Sequence, residues 1–101
     1  MSYIAEFAIF PTDKGESKSQ YVSKVLEVIS QSGLNFHFTS MGTIVEADTL
    51  KEITDLLSNS YEVLQSDCNR IYSIVKIDYR KDRKDGIAKK TKSVLEKIES
   101  N

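Results

Sequence analysis

The sequence predicts an α+β domain of ferredoxin-like type, β-α-β-β-α-β followed by a C-terminal helix. Three observations predict it. Four segments run or alternate apolar with the period of a strand, and two segments between them keep apolar residues at helical spacing. The two middle strands are separated by no more than a tight connection at Met41-Gly42. With right-handed crossovers in both βαβ units, that order gives a four-stranded antiparallel sheet with two helices on one face.

The first strand is YIAEFAIF, residues 3–10, apolar on both alternating faces except at Glu6. Pro11 ends it by removing a ladder donor, and the turn formers of PTDKGES follow. Ser17 or Ser19 can cap the next helix, in which Val22, Val25, Leu26 and Ile29 fall on one stripe. Gly33 supplies its stop. NFHFTS, residues 35–40, sets Phe36 and Phe38 against His37 and Thr39, and GTIVEAD, residues 42–48, completes a hairpin. Asp48 or Thr49 caps the second helix, carried by Leu50, Ile53, Leu56, Leu57 and Leu64. The last strand is RIYSIVKIDYR, residues 70–80. Ile71, Val75, Ile77 and Tyr79 share one of its faces, and Tyr72, Ile74, Lys76 and Asp78 the other. A third helix bears Ile87, Thr91, Val94, Leu95 and Ile98 on one side. Two crossover helices already fill the near face of the sheet, so this third stripe is expected at the domain edge or against another subunit.

At 101 residues the chain is expected to be a single domain, 1–101, burying about two-thirds of its unfolded surface. That leaves room for a surface cleft or an intersubunit site rather than a deep internal cavity. Fourteen Lys and Arg against fifteen Asp and Glu leave no cationic excess for a phosphate backbone, so no nucleic-acid partner is expected. The basic stretch at residues 79–92 is interleaved with Asp and reads as a solvated face. One cysteine, Cys68, excludes an internal disulfide and a cysteine-cluster metal site. No apolar run approaches the roughly 20 residues of a membrane span. The reading is a cytoplasmic protein with no membrane partner.

Enzymatic chemistry finds little support. His37 is the sole histidine and has no sequence neighbour that suggests a triad. Cys68 has Arg70 as the one nearby residue able to lower its pKa. Walker, GxGxxG and HExxH motifs are missing, and no cofactor is expected.

The residue that asks for a function is Glu46. It shares a strand face with Ile44 and Asp48, while Thr43, Val45 and Ala47 share the other. The face opposite the helices carries Ile44, Ile74 and Tyr72, an apolar surface that marks association, by default through two-fold packing of sheets. In such an interface Glu46 must be paired, and Lys76 is an available partner. A homo-oligomer is therefore expected.

Three segments, ESKSQYV (16–22), SMGTIVEAD (40–48) and KIDYRKDRKDGIAKKTKSV (76–94), together resemble the YkoF-like thiamine-binding-protein family over nearly the whole chain. The resemblance implies a ferredoxin-like dimer or tetramer that binds thiamine or its hydroxymethylpyrimidine part and is not an enzyme. It also implies ligand contacts at Ser17, Ser19, Thr43, Glu46 and Arg80. Two positions depart from the family pattern, Thr12 and Ala47, where glycine is usual, and either can reshape the site. An aminopyrimidine needs an acid or carbonyl for its exocyclic amine, hydroxyls for ring nitrogens, and apolar walls, for which Tyr72 or Phe36 are available. The residues themselves leave Glu46 open between ligand contact and ion pair, and the serines between capping and binding. The other reading of the chain is an oligomeric regulatory or interaction module that senses a different small metabolite.

Overall fold

The computed structural model describes residues 2–15, 18–82 and 86–99. The elements are β1 (Ser2–Pro11), α1 (Ser19–Gln31), β2 (Asn35–Thr39), β3 (Gly42–Ala47), α2 (Leu50–Gln65), β4 (Ile71–Arg80) and α3 (Gly86–Glu99). All neighbouring strands are antiparallel, and the sheet order is β2-β3-β1-β4. This is the ferredoxin-like arrangement that the element order predicts, with a helix added at the end.

Strand parity decides the two faces. Ala5, Phe7 and Ile9 of β1, with Thr43, Val45 and Ala47 of β3, lie under α1 and α2 and are buried. From the helices, Val25, Ile29, Ile53, Leu56 and Leu64 close the core. Each such aliphatic side chain, fully buried, contributes about 1.5–3 kcal/mol. The opposite face carries Ile4 and Glu6 of β1, Ile44 and Glu46 of β3, and Tyr72, Ile74, Lys76 and Asp78 of β4.

The local signals behave unequally. Thr49 begins α2 with a full capping box: its hydroxyl accepts the Glu52 N–H at 3.2 Å, and the Glu52 carboxylate accepts the Thr49 N–H at 3.1 Å. Gly33, at φ 77°, follows the Ser32 C-cap of α1 in the left-handed conformation that ends a helix. Ser19 does not cap α1. The N-cap position is Lys18, without a side-chain cap, and Ser19 is the first helical residue. Ser17 lies outside the described residues.

Pro11 stays inside β1 because the ladder to β3 has already ended at the Phe7–Thr43 pair. On the other side Pro11 still pairs with Ile71, and the next residue resumes the bonding, Thr12 N–H to the Arg70 carbonyl at 2.9 Å. A proline is tolerated where one side of its strand has no ladder to serve.

Candidate functional site

The same mismatch of strand lengths opens a cavity. Beyond the Phe7–Thr43 pair, β1 continues without β3 beside it, and the space is enclosed by α1 and the β2–β3 turn. The cavity measures about 340 Å³ and is lined mainly by Phe7, Ile9, Phe10, Val22, Leu26 and Phe38, with Ser40 and Thr43 among its polar groups. Thr43 sits between Phe7 and Phe38, its cross-strand neighbours on either side, and is buried.

The turn consumes one hydroxyl and spares others. Thr39 Oγ1 donates to the Gly42 carbonyl at 2.8 Å and accepts from the Met41 and Gly42 amides at 3.2 and 3.1 Å. Gly42 is required by close approach: a Cβ there would stand 3.0 Å from the Phe7 carbonyl oxygen. At the rim, the Lys18 ammonium lies 4.9 Å from the centre of the Phe10 ring, a cation–π contact.

Among the described residues, no carboxylate lines this cavity, and the acids with displaced pKa values lie elsewhere. Asp67 is held below its ordinary value by the Lys24 ammonium, 2.7 Å away, and Lys24 is raised by the same bond. Asp13 is lowered because its carboxylate accepts the Asn69 amide N–H at 2.7 Å. The described lining offers hydroxyls, backbone groups and aromatic walls.

The residues that the resemblance groups together separate into two sets. Thr43 and Ser19 belong to the cavity end: Thr43 lines it, and Ser19 stands one helical turn before Val22, which also lines it. Glu46 and Arg80 belong to the face turned away from α1 and α2, at the other end of the sheet, with β1 between them. Thr43 and Glu46 are an odd number of residues apart on one strand and point to opposite faces, so they do not share a site within one protomer.

Glu46 is also not the partner of Lys76. Its cross-strand neighbours are Ile4 and Asn35, and its Oε1 accepts the Ile87 N–H of α3 at 3.4 Å. Lys76 pairs instead with its own cross-strand neighbour Glu6, at 3.9 Å. Arg80 Nε lies 3.4 Å from Asp82 Oδ1.

Neither expected wall is part of the cavity. Tyr72 packs against Phe10, ring centres 5.9 Å apart, and Phe36 flanks Val45. Phe38 takes the role, and its signal was available: it shares a face with Thr43 once the hairpin is closed on Ser40-Met41. His37 is exposed on the edge strand β2, and Cys68 is a buried free thiol. Among the described residues, no group of three or more His, Cys, Asp or Glu is placed to hold a metal ion, and no helix is long and apolar enough to cross a membrane.

Fold and cavity together define a ferredoxin-like α+β protein with a lateral apolar pocket beside its β-hairpin. The chain belongs to the Thiamine-binding protein family, whose profile matches residues 5–95. It is 38% identical over 93 residues to the UPF0045 protein MJ1052 of Methanocaldococcus jannaschii, an alignment that covers 92% of each chain. A UPF0045 protein of Methanothermobacter thermautotrophicus is 34% identical over 96 residues, covering 93% of this chain and 97% of that one. The crystal structure of MJ1052 superposes with a TM-score of 0.85, covering 94% of this chain and 97% of the other. A domain of unknown function, DUF77, from Bacillus cereus shares the fold at a TM-score of 0.71 and 23% identity, over 81% and 79% of the two chains.

Proposed function

We propose that this protein binds the aminopyrimidine part of thiamine, or free hydroxymethylpyrimidine, without catalysis, in the cavity between α1 and the β2–β3 hairpin. The observation that carries the reading is the cavity itself in a chain of the Thiamine-binding protein family. Its volume falls in the range of small-ligand sites, and its composition is the usual one, apolar walls with a few polar groups to fix orientation. In this reading Thr43 and Ser40 meet ring nitrogens or the exocyclic amine, and Phe7, Phe10 and Phe38 enclose the ring. Ser19 stands near the mouth. A cationic thiazolium would stay at the opening, since the described lining holds no acid to offset its desolvation. Glu46 and Arg80 complete no part of their own protomer's cavity.

The exposed Tyr72 and Ile74 on the sheet face turned away from α1 and α2 support a homo-oligomer, dimer or tetramer, and the buried free thiol of Cys68 suits a reducing cytoplasm. The other reading, a module that senses a different metabolite, would use the same neutral and largely apolar cavity.

Titration calorimetry with thiamine, its phosphates and hydroxymethylpyrimidine tests the proposal, alongside Thr43→Val. Loss of one hydrogen bond predicts an affinity loss of roughly threefold to tenfold for the pyrimidine ligands. Absence of heat and of any melting-temperature rise with all of them would remove the aminopyrimidine reading and leave the other.

A further inference from the structure

The cavity is bounded on one side by four consecutive residues of β1, Phe7, Ala8, Ile9 and Phe10. A strand presents alternate residues to a face and consecutive ones only along its edge. The cavity therefore lies against the edge of β1 that β3 leaves open past the Phe7–Thr43 pair. What an open edge offers is backbone. Successive residues of an antiparallel strand turn their N–H and C=O to opposite sides. Just beyond β1 the Thr12 N–H reaches the Arg70 carbonyl, and the register with β4 runs unbroken from Ser2 to Pro11. The even-numbered residues of β1 thus turn their peptide groups to β4. The odd-numbered ones turn theirs to the β3 side, as the Phe7 carbonyl does where it meets Gly42.

Ile9 is the next odd residue, and β3 has no residue opposite it. It is only 6% exposed, and among the described residues no ladder, turn or side-chain bond answers its N–H or its C=O. Pro11, the odd residue after it, has no N–H to offer. Buried peptide groups are nearly always paired, so a donor and an acceptor left open beside a cavity call for an occupant that answers both. Such an occupant carries an acceptor and a donor side by side. It is also flat, because Phe7 stands on the helix side of the strand and Phe10 on the other.

We propose that the Ile9 peptide group recognises the aminopyrimidine edge-on, its N–H donating to the ring nitrogen beside the exocyclic amine and its C=O accepting one hydrogen of that amine. The proposal rests on the aminopyrimidine reading above and names the group that orients the ring. An amine next to a ring nitrogen sets donor and acceptor on one edge, in the plane of the ring, as the backbone of a paired strand does. The ring then continues the sheet in its own plane where β3 stops. Phe7 and Phe38 lie toward its helix-side face and Phe10 toward the other. The amine's second hydrogen and the other ring nitrogen remain for Thr43 and Ser40, which also line the cavity.

Residue-resolved hydrogen exchange by NMR tests the contact without any variant. In the free protein the Ile9 amide should exchange faster than the Ala8 and Phe10 amides, which the register turns to β4. Saturating hydroxymethylpyrimidine should slow Ile9 by about tenfold or more and leave those two neighbours nearly unchanged. Replacing Ile9 by its α-hydroxy acid counterpart converts that one N–H into an ester oxygen. Calorimetry should then find affinity for hydroxymethylpyrimidine lower by about tenfold. The free protein should melt close to wild type, because the lost N–H had no partner in the chain. If the ester chain does not fold, the exchange measurement decides. If hydroxymethylpyrimidine binds while Ile9 exchange ignores it, the aminopyrimidine reading stands and the Ile9 contact is overturned. If no pyrimidine binds the wild type, that reading falls and the contact falls with it.

Discussion

In α2, Ile53, Leu56 and Leu64 stand at helical spacing and are buried against the sheet. In α3, Val94, Leu95 and Ile98 keep a comparable spacing and are 57%, 52% and 64% exposed. The two helices are written in the same amphipathic pattern, and the difference between them is position. α2 follows a hairpin and crosses back over the sheet, where the Val45 and Phe7 side of the strands awaits it. α3 follows the last strand, after both places on that face are taken. An apolar stripe therefore states that a face wants cover, and says nothing about whether its own chain supplies it.

The largest effect that can break this comparison comes from truncating one residue on each helix. Ile53→Ala should cost about 2–5 kcal/mol in urea unfolding, because a fully buried side chain leaves a cavity. That loss should be the same at every protein concentration. Leu95→Ser should change the stability of the dilute protein by less than about 0.5 kcal/mol, as surface substitutions do. Its cost should appear only at concentrations where subunits associate. A concentration-independent loss of several kcal/mol at Leu95 would mean that α3 is packed on its own chain after all.

Why the two helices differ is also why the sequence was read unevenly. Strand parity was plain in the alternation, so the placement of Ile44, Glu46, Ile74 and Tyr72 on one face followed directly. The same parity already separated Thr43 from Glu46. It was the motif, short and contiguous, that grouped them. Capping was legible at Thr49, where Glu52 stands at the third helical position, and illegible at Ser19, which has no acid or amide placed to answer it. The partner of Lys76 could not be read, because it depends on the register of β1 against β4, two strands far apart in sequence. The cavity was hidden for the same reason. It exists because β3 stops pairing with β1 four residues before Pro11, a fact of tertiary length rather than of composition.

Glu46 gives a smaller test of the comparison, since it joins the two regions. Its carboxylate accepts the Ile87 N–H in the first turn of α3, where the helix dipole favours negative charge. Glu46→Gln keeps an acceptor oxygen and removes the charge, so α3 should lose about 0.3–1 kcal/mol of docking, read as faster exchange of the Ile87 amide. Calorimetry on the same variant should find pyrimidine affinity unchanged. A tenfold to hundredfold fall in that affinity would instead make Glu46 a ligand contact, reached from a second copy.

The smallest effect lies wholly within the well-packed region. Lys24 of α1 and Asp67, just after α2, form an exposed pair at 2.7 Å that ties the two crossover helices together; α3 has no described counterpart to it. The Lys24 ammonium lowers the pKa of Asp67 below 3.8, so Asp67 binds fewer protons folded than unfolded at acid pH. Its contribution is complete above the unfolded value and is lost as pH falls through the folded one. Lys24 is raised above 10.5 by the same bond, so its contribution is complete below that value and is lost as pH rises through the folded pKa. Exposed pairs contribute little, and salt screens them. Asp67→Asn should therefore lower the urea midpoint slightly at neutral pH and low salt. The gap from wild type should narrow at high salt, and close as pH falls through the lowered folded pKa and the wild-type carboxylate takes up its proton. A gap that persisted undiminished in acid would assign the effect to lost packing rather than to charge, and the link between α1 and α2 would then be no more electrostatic than the rest of their shared core.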